Sequence, residues 1–488
     1  MGSEPQFAKY PILRVAQSIF TLSTGPQAAQ QTSLTYLQDA IKEHKMAPLY
    51  RHLAHPTEGV LNSVGEGTAE TAKPHSQSQS QPQPSRRGSL VASNLVPPSR
   101  KALAGGVLPW DEALYEQLKK DNERELQEIQ KEEDEAEEKA GETEVQAARS
   151  KRADFWARIG DKDKAISSYE EIFEKTGPLG TKIDIVLAII RVGLFFNDKA
   201  FVKKQVERAN ILVEGGGDWD RRNRLKAYKG LHLLTVRSYN VAAPLLLDSL
   251  STFTSYELCS YSSLVVYSVL AGTLSLKRTD FKKSVVDAAE IKVILGNDEG
   301  EKLPGAGDEE MKDVSAATES RATGLVNLSA LGTGTEAQPE EAVDFKPLAS
   351  LVNDLYNGNY RGFFQALAAV EESFLTTDRY LYEHRGWFVR EMRLRGYQQL
   401  LQSYRIVGLE SMAQAFGVSV DFLDRDLAKF IAAGKIHCTI DRVQGTIETT
   451  RPDDKNSQYS NVVKLGDQLI TKLQKYGQAV RLRGSERA

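Results

Sequence analysis

The chain has 488 residues, more than one hydrophobic core usually organises, so two or more domains are expected. Its 62 Lys and Arg against 66 Asp and Glu leave a net charge of −4, which excludes the overall basic excess that would hold a polyanion. The cysteines, Cys259 and Cys438, lie far apart; they exclude a disulfide framework and a multi-cysteine zinc site and suit a reducing compartment.

In the opening stretch MGSEPQFAKYPILRVAQSIF, Arg14 and Gln17 interrupt the apolar run, so no secretory signal is expected. Gln6 breaks the myristoylation pattern that Gly2 begins. No run approaches the roughly 18 apolar residues a membrane helix requires, and a soluble intracellular protein without a membrane partner is expected. Residues 1–62 read as an N-terminal helical segment. Residues 63–106 are rich in Ser, Gln, Pro and Gly and cannot bury enough apolar surface to offset their ordering entropy; they read as a disordered low-complexity insertion. Within it, Ser89 in SRRGSL follows Arg87 by two residues, a pattern basophilic kinases accept, and is a candidate phosphorylation site. Residues 107–150 predict a charged helix: ten acidic residues fall in 121–138, with Leu126 and Ile129 the large apolar ones, as on a solvated surface.

Residues 151–295 carry a helical repeat. In RIGDKDKAISSYEEIFEKTGP, Gly160, Ala165, Tyr169 and Pro178 stand in the tetratricopeptide order: small residues where two helices cross, an aromatic on the second helix, and Pro after it. Aligning the later echoes on Ala165, Ala200, Ala242 and Lys282 gives spacings of 35, 42 and 40 residues, the irregular period of a degenerate solenoid whose repeats bury their faces against their neighbours. Residues 296–342 have the composition of a second disordered insertion.

Residues 343–450 predict another domain, helical at first and then, from about 409, a winged helix. Leu409, Met412, Ala413 and Phe416 share one helical face; after Gly417, Leu423, Leu427, Phe430 and Ile431 form a second apolar stripe. Gly434 can end that helix. Ile436, Cys438 and Ile440 then alternate with His437, Thr439 and Asp441, and Ile447 lies in a second short run beyond Gly445, as in a hairpin. In the tail, 451–488, Val462, Leu465, Leu469, Leu473, Tyr476 and Val480 recur at helical spacing over about five turns. Such a helix either folds back on its own domain or joins a bundle with helices of other chains, and its length favours the bundle.

Signals for chemistry are weak. There is no GxxxxGK[ST] loop, no HExxH, no GxSxG elbow. His52 and His55 lack a nearby ligand to complete a metal site, Cys438 sits in the inward phase of its strand, and the glycines 215–217, 332 and 334 read as turns or linkers. A winged helix raises the possibility of DNA, whose reading helix needs exposed cations. Here Asp421, Asp424 and Asp426 stand against Arg425 and Lys429, a local net of −1, so nucleic acid is not the expected partner. No cofactor, metal, small-molecule ligand or enzymatic activity is expected.

Several long blocks carry a resemblance: GETEVQAAR, RIGDKDKA, GGDWDRRNRLKAY, STFTSYEL, FVREMRLRGYQQLLQSYR and FIAAGKIHCTIDRVQGTIETTRPDDKN. Together with the solenoid, winged helix and terminal helix, they make the chain similar to PCI-domain proteins, and within that class to the subunits of the proteasome regulatory-particle lid. GDWDRRNRLK and STFTSYEL also resemble the paralogous signalosome subunit; ETTRPDDKN followed by the terminal helix favours the proteasome. The resemblance implies a mainly α fold: a TPR-like helical-repeat solenoid, a PCI domain and a long C-terminal helix. It further implies a non-catalytic scaffold in ubiquitin-dependent degradation, in cytoplasm and nucleus. The partners it implies are other PCI-type lid subunits and the lid deubiquitinase subunit, with the base ATPases and core particle in the full assembly. Candidate interface residues are Ile436, His437, Thr439 and Ile447 on the hairpin and Val462, Leu465, Leu469, Leu473, Tyr476 and Val480 on the tail. The alternatives are a PCI subunit of the signalosome and a winged-helix nucleic-acid-binding factor.

Overall fold

The computed structural model describes residues 7, 9–56, 59–61, 95, 108–139, 142–295, 344–450 and 455–485. Of the segment 63–106 only Leu95 is described, and it is buried; Ser89 and the segment 296–342 lie outside the described residues. The described chain is mostly helical, with one small sheet, and divides into two units, residues 1–392 and 393–488.

The first unit is built from helix pairs. α1 (Leu13–Thr24), α2 (Gln27–Glu43) and α3 (Ala47–Ala54) precede the long charged α4 (Glu112–Lys139), which packs on α5 (Glu142–Ile159). The acidic run finds partners there: Glu133 meets Arg149 and Arg152 at 3.2 Å each, and Glu125 meets Arg158 at 2.6 Å. The pairs α5–α6 (Lys162–Lys175), α7 (Leu179–Phe195)–α8 (Lys199–Glu214) and α9 (Trp219–Thr235)–α10 (Tyr239–Ser249) then repeat one device. The first helix ends on a left-handed residue, Gly160, Asn197 or Arg237, and the next residue, Asp161, Asp198 or Ser238, begins the second helix. Asp161 and Asp198 accept hydrogen bonds from the backbone of Lys164 and Phe201, satisfying donors a helix start would leave unpaired. The left-handed residues are 37 and 40 residues apart, a tighter period than the alanine alignment gives. Gly358 and Asn359 repeat the device between α14 (Lys346–Asn357) and α15 (Tyr360–Val370).

Glycines set the depth of three of the crossings. A Cβ on Gly193 would stand 2.7 Å from Val202, on Gly230 2.5 Å from Leu246, and on Gly272, in α11 (Tyr261–Ser275), which precedes the short α12 (Arg278–Phe281) and α13 (Ala289–Leu295), 2.8 Å from Val285. At these three places the following segment lies closer than a side chain at the glycine would allow.

The segment 376–384, which precedes α16 (Arg385–Ser403), ties distant helices together. Arg379 donates to the carbonyls of Leu194 and Phe195 at 2.9 and 3.1 Å, at the C-terminal end of α7. A nitrogen of His384 lies 2.8 Å from the Thr235 carbonyl at the end of α9. Gln17 of α1 donates to the Thr377 carbonyl at 2.7 Å and accepts from the Arg379 backbone at 3.3 Å. Asp378 accepts from the Tyr267 hydroxyl, and burial pushes its carboxyl above the usual range. The fully buried Arg191 donates to Tyr228 at 2.8 Å and to the carbonyls of Phe7 and Tyr10, holding the start of the chain to α7.

Candidate interaction surfaces

The second unit contains the latter part of α16, β1 (Ile406–Gly408), α17 (Leu409–Phe416), α18 (Val420–Ala432), the hairpin β2 (Cys438–Asp441) and β3 (Thr446–Thr449), and α19 (Lys455–Ser485). Leu409, Met412, Ala413 and Phe416 are buried as their spacing predicts, and so are Leu423, Leu427 and Phe430. Gly417 adopts the left-handed cap, and the Ser419 hydroxyl accepts from the Phe422 backbone to start α18. Asp441 accepts from the backbone of Val443 and Gln444, fixing the hairpin turn, at whose tip Val443 is exposed.

The sheet has three strands in the order β1-β3-β2, both pairings antiparallel. β1 has no counterpart in the sequence reading; its one signal, Ile406 and Val407 before Gly408, is too short to register as a strand. It makes β3 the central strand and leaves β1 and β2 as edges with one strand neighbour each. Ile447 stands opposite both Val407 and Ile440 and is fully buried, and Ile436 is also buried. Two of the four hairpin residues expected at an interface, Ile436 and Ile447, are therefore core side chains of this module, because the alternating phase that exposes His437 and Thr439 turns their neighbours inward. His437 and Thr439 are exposed along the β2 edge. Cys438 is buried, which pushes its thiol up and away from reactivity.

The charge of α18 also differs from its sequence reading. Asp426 is buried, accepting from the Tyr397 hydroxyl at 3.2 Å with Arg393 3.5 Å away, and Asp424 pairs with Arg442 at 2.8 Å. Only Asp421 of the three aspartates is exposed and outside these pairs, against exposed Arg425 and Lys429, so α18 has no acidic face and the case against a polyanion rests on the chain's net charge of −4.

Beside the β1 edge lies an open apolar hollow of about 290 Å³, lined by Leu400, Tyr404, Ile406, Val407, Ser411, Met412 and Ala415. Tyr404 and Ile406 on its rim are more than half exposed. No sequence signal marked it, because its walls come from the end of α16, β1 and α17 together.

A second apolar surface lies on α19. The expected stripe, Val462, Leu465, Leu469, Leu473, Tyr476 and Val480, forms on it, each side chain 61 to 71% exposed. Tyr459, Val463 and Ile470 are exposed as well, and between residues 458 and 481 no side chain is buried. So many large apolar groups exposed together make α19 a candidate docking surface.

Among the described residues no group of three His, Cys, Asp or Glu could hold a metal ion, and no helix is long and apolar enough to cross a membrane.

Comparison with known proteins agrees with this architecture. Residues 111–284 match the model of 26S proteasome subunit RPN7, residues 364–451 that of the PCI domain, and residues 458–480 that of the RPN7/PSMD6 C-terminal helix. The 26S proteasome regulatory subunit RPN7 of Saccharomyces cerevisiae is 37% identical over 99% of this chain and 96% of its own length. The corresponding Schizosaccharomyces pombe protein is 35% identical over 97% of each chain, and the 26S proteasome non-ATPase regulatory subunit 6 homolog of Arabidopsis thaliana 37% over 80% and 89%. COP9 signalosome complex subunit 1b of Drosophila melanogaster is 20% identical over 65% of this chain and 52% of its own length, a more distant relation than the proteasome proteins. The chain belongs to the family of the 26S proteasome regulatory subunit RPN7, also called non-ATPase regulatory subunit 6.

Proposed function

We propose that the chain is a non-catalytic structural subunit of the proteasome regulatory-particle lid and supports lid assembly for ubiquitin-dependent degradation. The observation that carries this reading is the exposed apolar surface of α19, which the described residues of its own chain leave uncovered. Burying it against helices of sister subunits is the driving force for incorporation. The edge strands β1 and β2, with His437 and Thr439 on one and the apolar hollow beside the other, suit strand-to-strand docking with the PCI modules of neighbouring subunits. The solenoid acts as a rigid arm, held by the ties of segment 376–384. The partners on this reading are PCI-type lid subunits and the lid deubiquitinase subunit, and in the full assembly the base ATPases and core particle; the compartments are cytoplasm and nucleus.

The test replaces Leu469 and Leu473 by Asp in the full chain. Loss of co-purification with lid subunits while the Trp fluorescence of the first unit stays native supports the reading. Normal co-purification overturns it, and recovery of signalosome subunits with the wild-type chain assigns it to the paralogous complex.

A further inference from the structure

A ladder of polar side chains crosses the first helices of three repeats. Asp154 on α5, Arg191 on α7 and Tyr228 on α9 recur at intervals of 37 residues. Asp154 and Arg191 each stand six residues before the left-handed residue that follows their helix, and Tyr228 stands nine before its own, about one turn earlier on the same face. The Tyr169 hydroxyl on α6 donates to Asp154 at 2.8 Å, Arg191 donates to the Tyr228 hydroxyl at 2.8 Å, and Tyr228 donates to Glu257 at 3.0 Å. Surfaces that run across stacked repeats in this way are where solenoid proteins bind other molecules.

Residues 7–10, which precede α1, lie on this ladder. Arg191 is buried and donates to the carbonyls of Phe7 and Tyr10, the latter at 3.3 Å. The Phe7 ring meets Tyr169 edge-on at 5.8 Å. Burial pushes the Asp154 carboxyl up, while the Tyr169 hydroxyl and the charges of Arg191 and Lys9 act against that rise, which sets the Lys9 ammonium among the charges facing Asp154.

Three features separate this contact from ordinary core packing. The bonds from Arg191 run to main-chain carbonyls, which any peptide offers. Phe7 is held at φ +63°, a left-handed conformation that costs a residue other than glycine about 1 kcal/mol, and both Phe7 and Tyr10 are only half-buried. The Nε of Arg191 finds no acceptor among the described residues, so the segment does not saturate the guanidinium. If the segment leaves, Arg191 keeps its bond to Tyr228, which Glu257 in turn holds, so the emptied site retains a partner for its charge.

We infer that Asp154, Tyr169, Arg191 and Tyr228 form a peptide-recognition site whose exchangeable occupant is the chain's own segment 7–10. The site takes peptides of the same pattern, two aromatic residues three apart with a basic residue between them. Arg191 holds the main-chain carbonyls, Tyr169 the leading ring and Asp154 the cation. None of these residues belongs to the docking surfaces proposed above, so the inference stands apart from them.

The probe is the peptide PQFAKYPI, residues 5–12, carrying a fluorophore and followed by anisotropy. It should bind a chain lacking residues 1–10 at least tenfold more tightly than the wild type, whose site is filled. Alanine in place of both aromatic residues of the peptide should weaken binding at least tenfold and leaves the protein untouched; Arg191→Met in the truncated chain should do the same. Where circular dichroism shows the truncated chain unfolded, the full-length Phe7→Ala/Tyr10→Ala variant takes its place. The site is overturned by no binding to a folded vacated chain, by equal binding to the wild type and the vacated chain, or by equal binding of the alanine peptide. Unfolding of both vacated chains overturns it as well, because the segment is then part of the core and not an occupant.

Discussion

Gly230→Ala tests the packing logic of the solenoid. The added methyl would stand 2.5 Å from Leu246 Cδ2 and 2.7 Å from its Cγ, against the roughly 3.5–4.0 Å of an ordinary carbon contact. Leu246 is fully buried, so α10 must shift by about 1 Å or Leu246 must leave its rotamer. Overpacking of this kind costs about 1–3 kcal/mol, and Ala in place of Gly within a helix returns about 0.5–1 kcal/mol. The net expectation is a loss of about 1–2 kcal/mol. All four tryptophans, Trp110, Trp156, Trp219 and Trp387, lie in the first unit, so urea unfolding followed by their fluorescence reports on that unit alone. Leu246→Ala by itself should cost about 2–5 kcal/mol. Because it opens the space the methyl needs, the double variant should be more stable than the sum of the singles by about 1 kcal/mol or more. Additive singles, or a Gly230→Ala chain more stable than wild type, would refute the reasoning.

Three further outcomes are expected. Gly160→Ala forces an L side chain into φ +82° with its Cβ 3.1 Å from the Leu49 Cβ, and should destabilise the first unit by about 1–2 kcal/mol in the same assay. Asp426→Ala removes the acceptor of the Tyr397 hydroxyl bond and the carboxylate beside the Arg393 guanidinium and should destabilise the second unit by about 3 kcal/mol, read from hydrogen exchange of α18 amides; unchanged protection would contradict the pairing. Asp378 has a folded-state pKa raised by burial, so its contribution is fully present below the unfolded value of 3.8 and is lost as pH rises through the folded value. Asp378→Asn, which keeps an acceptor for the backbone of Tyr380 and Leu381, should flatten that fall in the urea midpoint as pH rises above 3.8, whereas a parallel profile would show that Asp378 is not its source.

The parts of the fold legible in the sequence are those set by local rules. Helix stripes such as Leu409–Met412–Phe416 and the alternation around Cys438 follow from period alone, and the amphipathic tail is visible because its spacing persists for five turns. The repeat is visible in the alignment on Ala165, Ala200, Ala242 and Lys282; the left-handed residues Gly160, Asn197 and Arg237 mark it better, yet Asn and Arg carry little of the turn signal that Gly does. Asp426 was legible in principle. It stands at the i+3 position between Leu423 and Phe430, so the stripe itself assigns it inward, and a carboxylate there implies a buried partner. β1 was illegible because a three-residue strand has no period of its own and its pairing with β3 is about 40 residues distant. The ties of segment 376–384 to Gln17 and α7 span hundreds of residues, and no local pattern encodes contacts at that separation.

The central claim is that α19 is the element by which this chain enters the proteasome lid. Its most direct test is quantitative mass spectrometry of complexes purified on the tagged full-length chain, wild type beside Leu469→Asp/Leu473→Asp. The account predicts lid subunits, base ATPases and core particle with the wild type, and their depletion by tenfold or more with the variant. Equal recovery from both chains would contradict it.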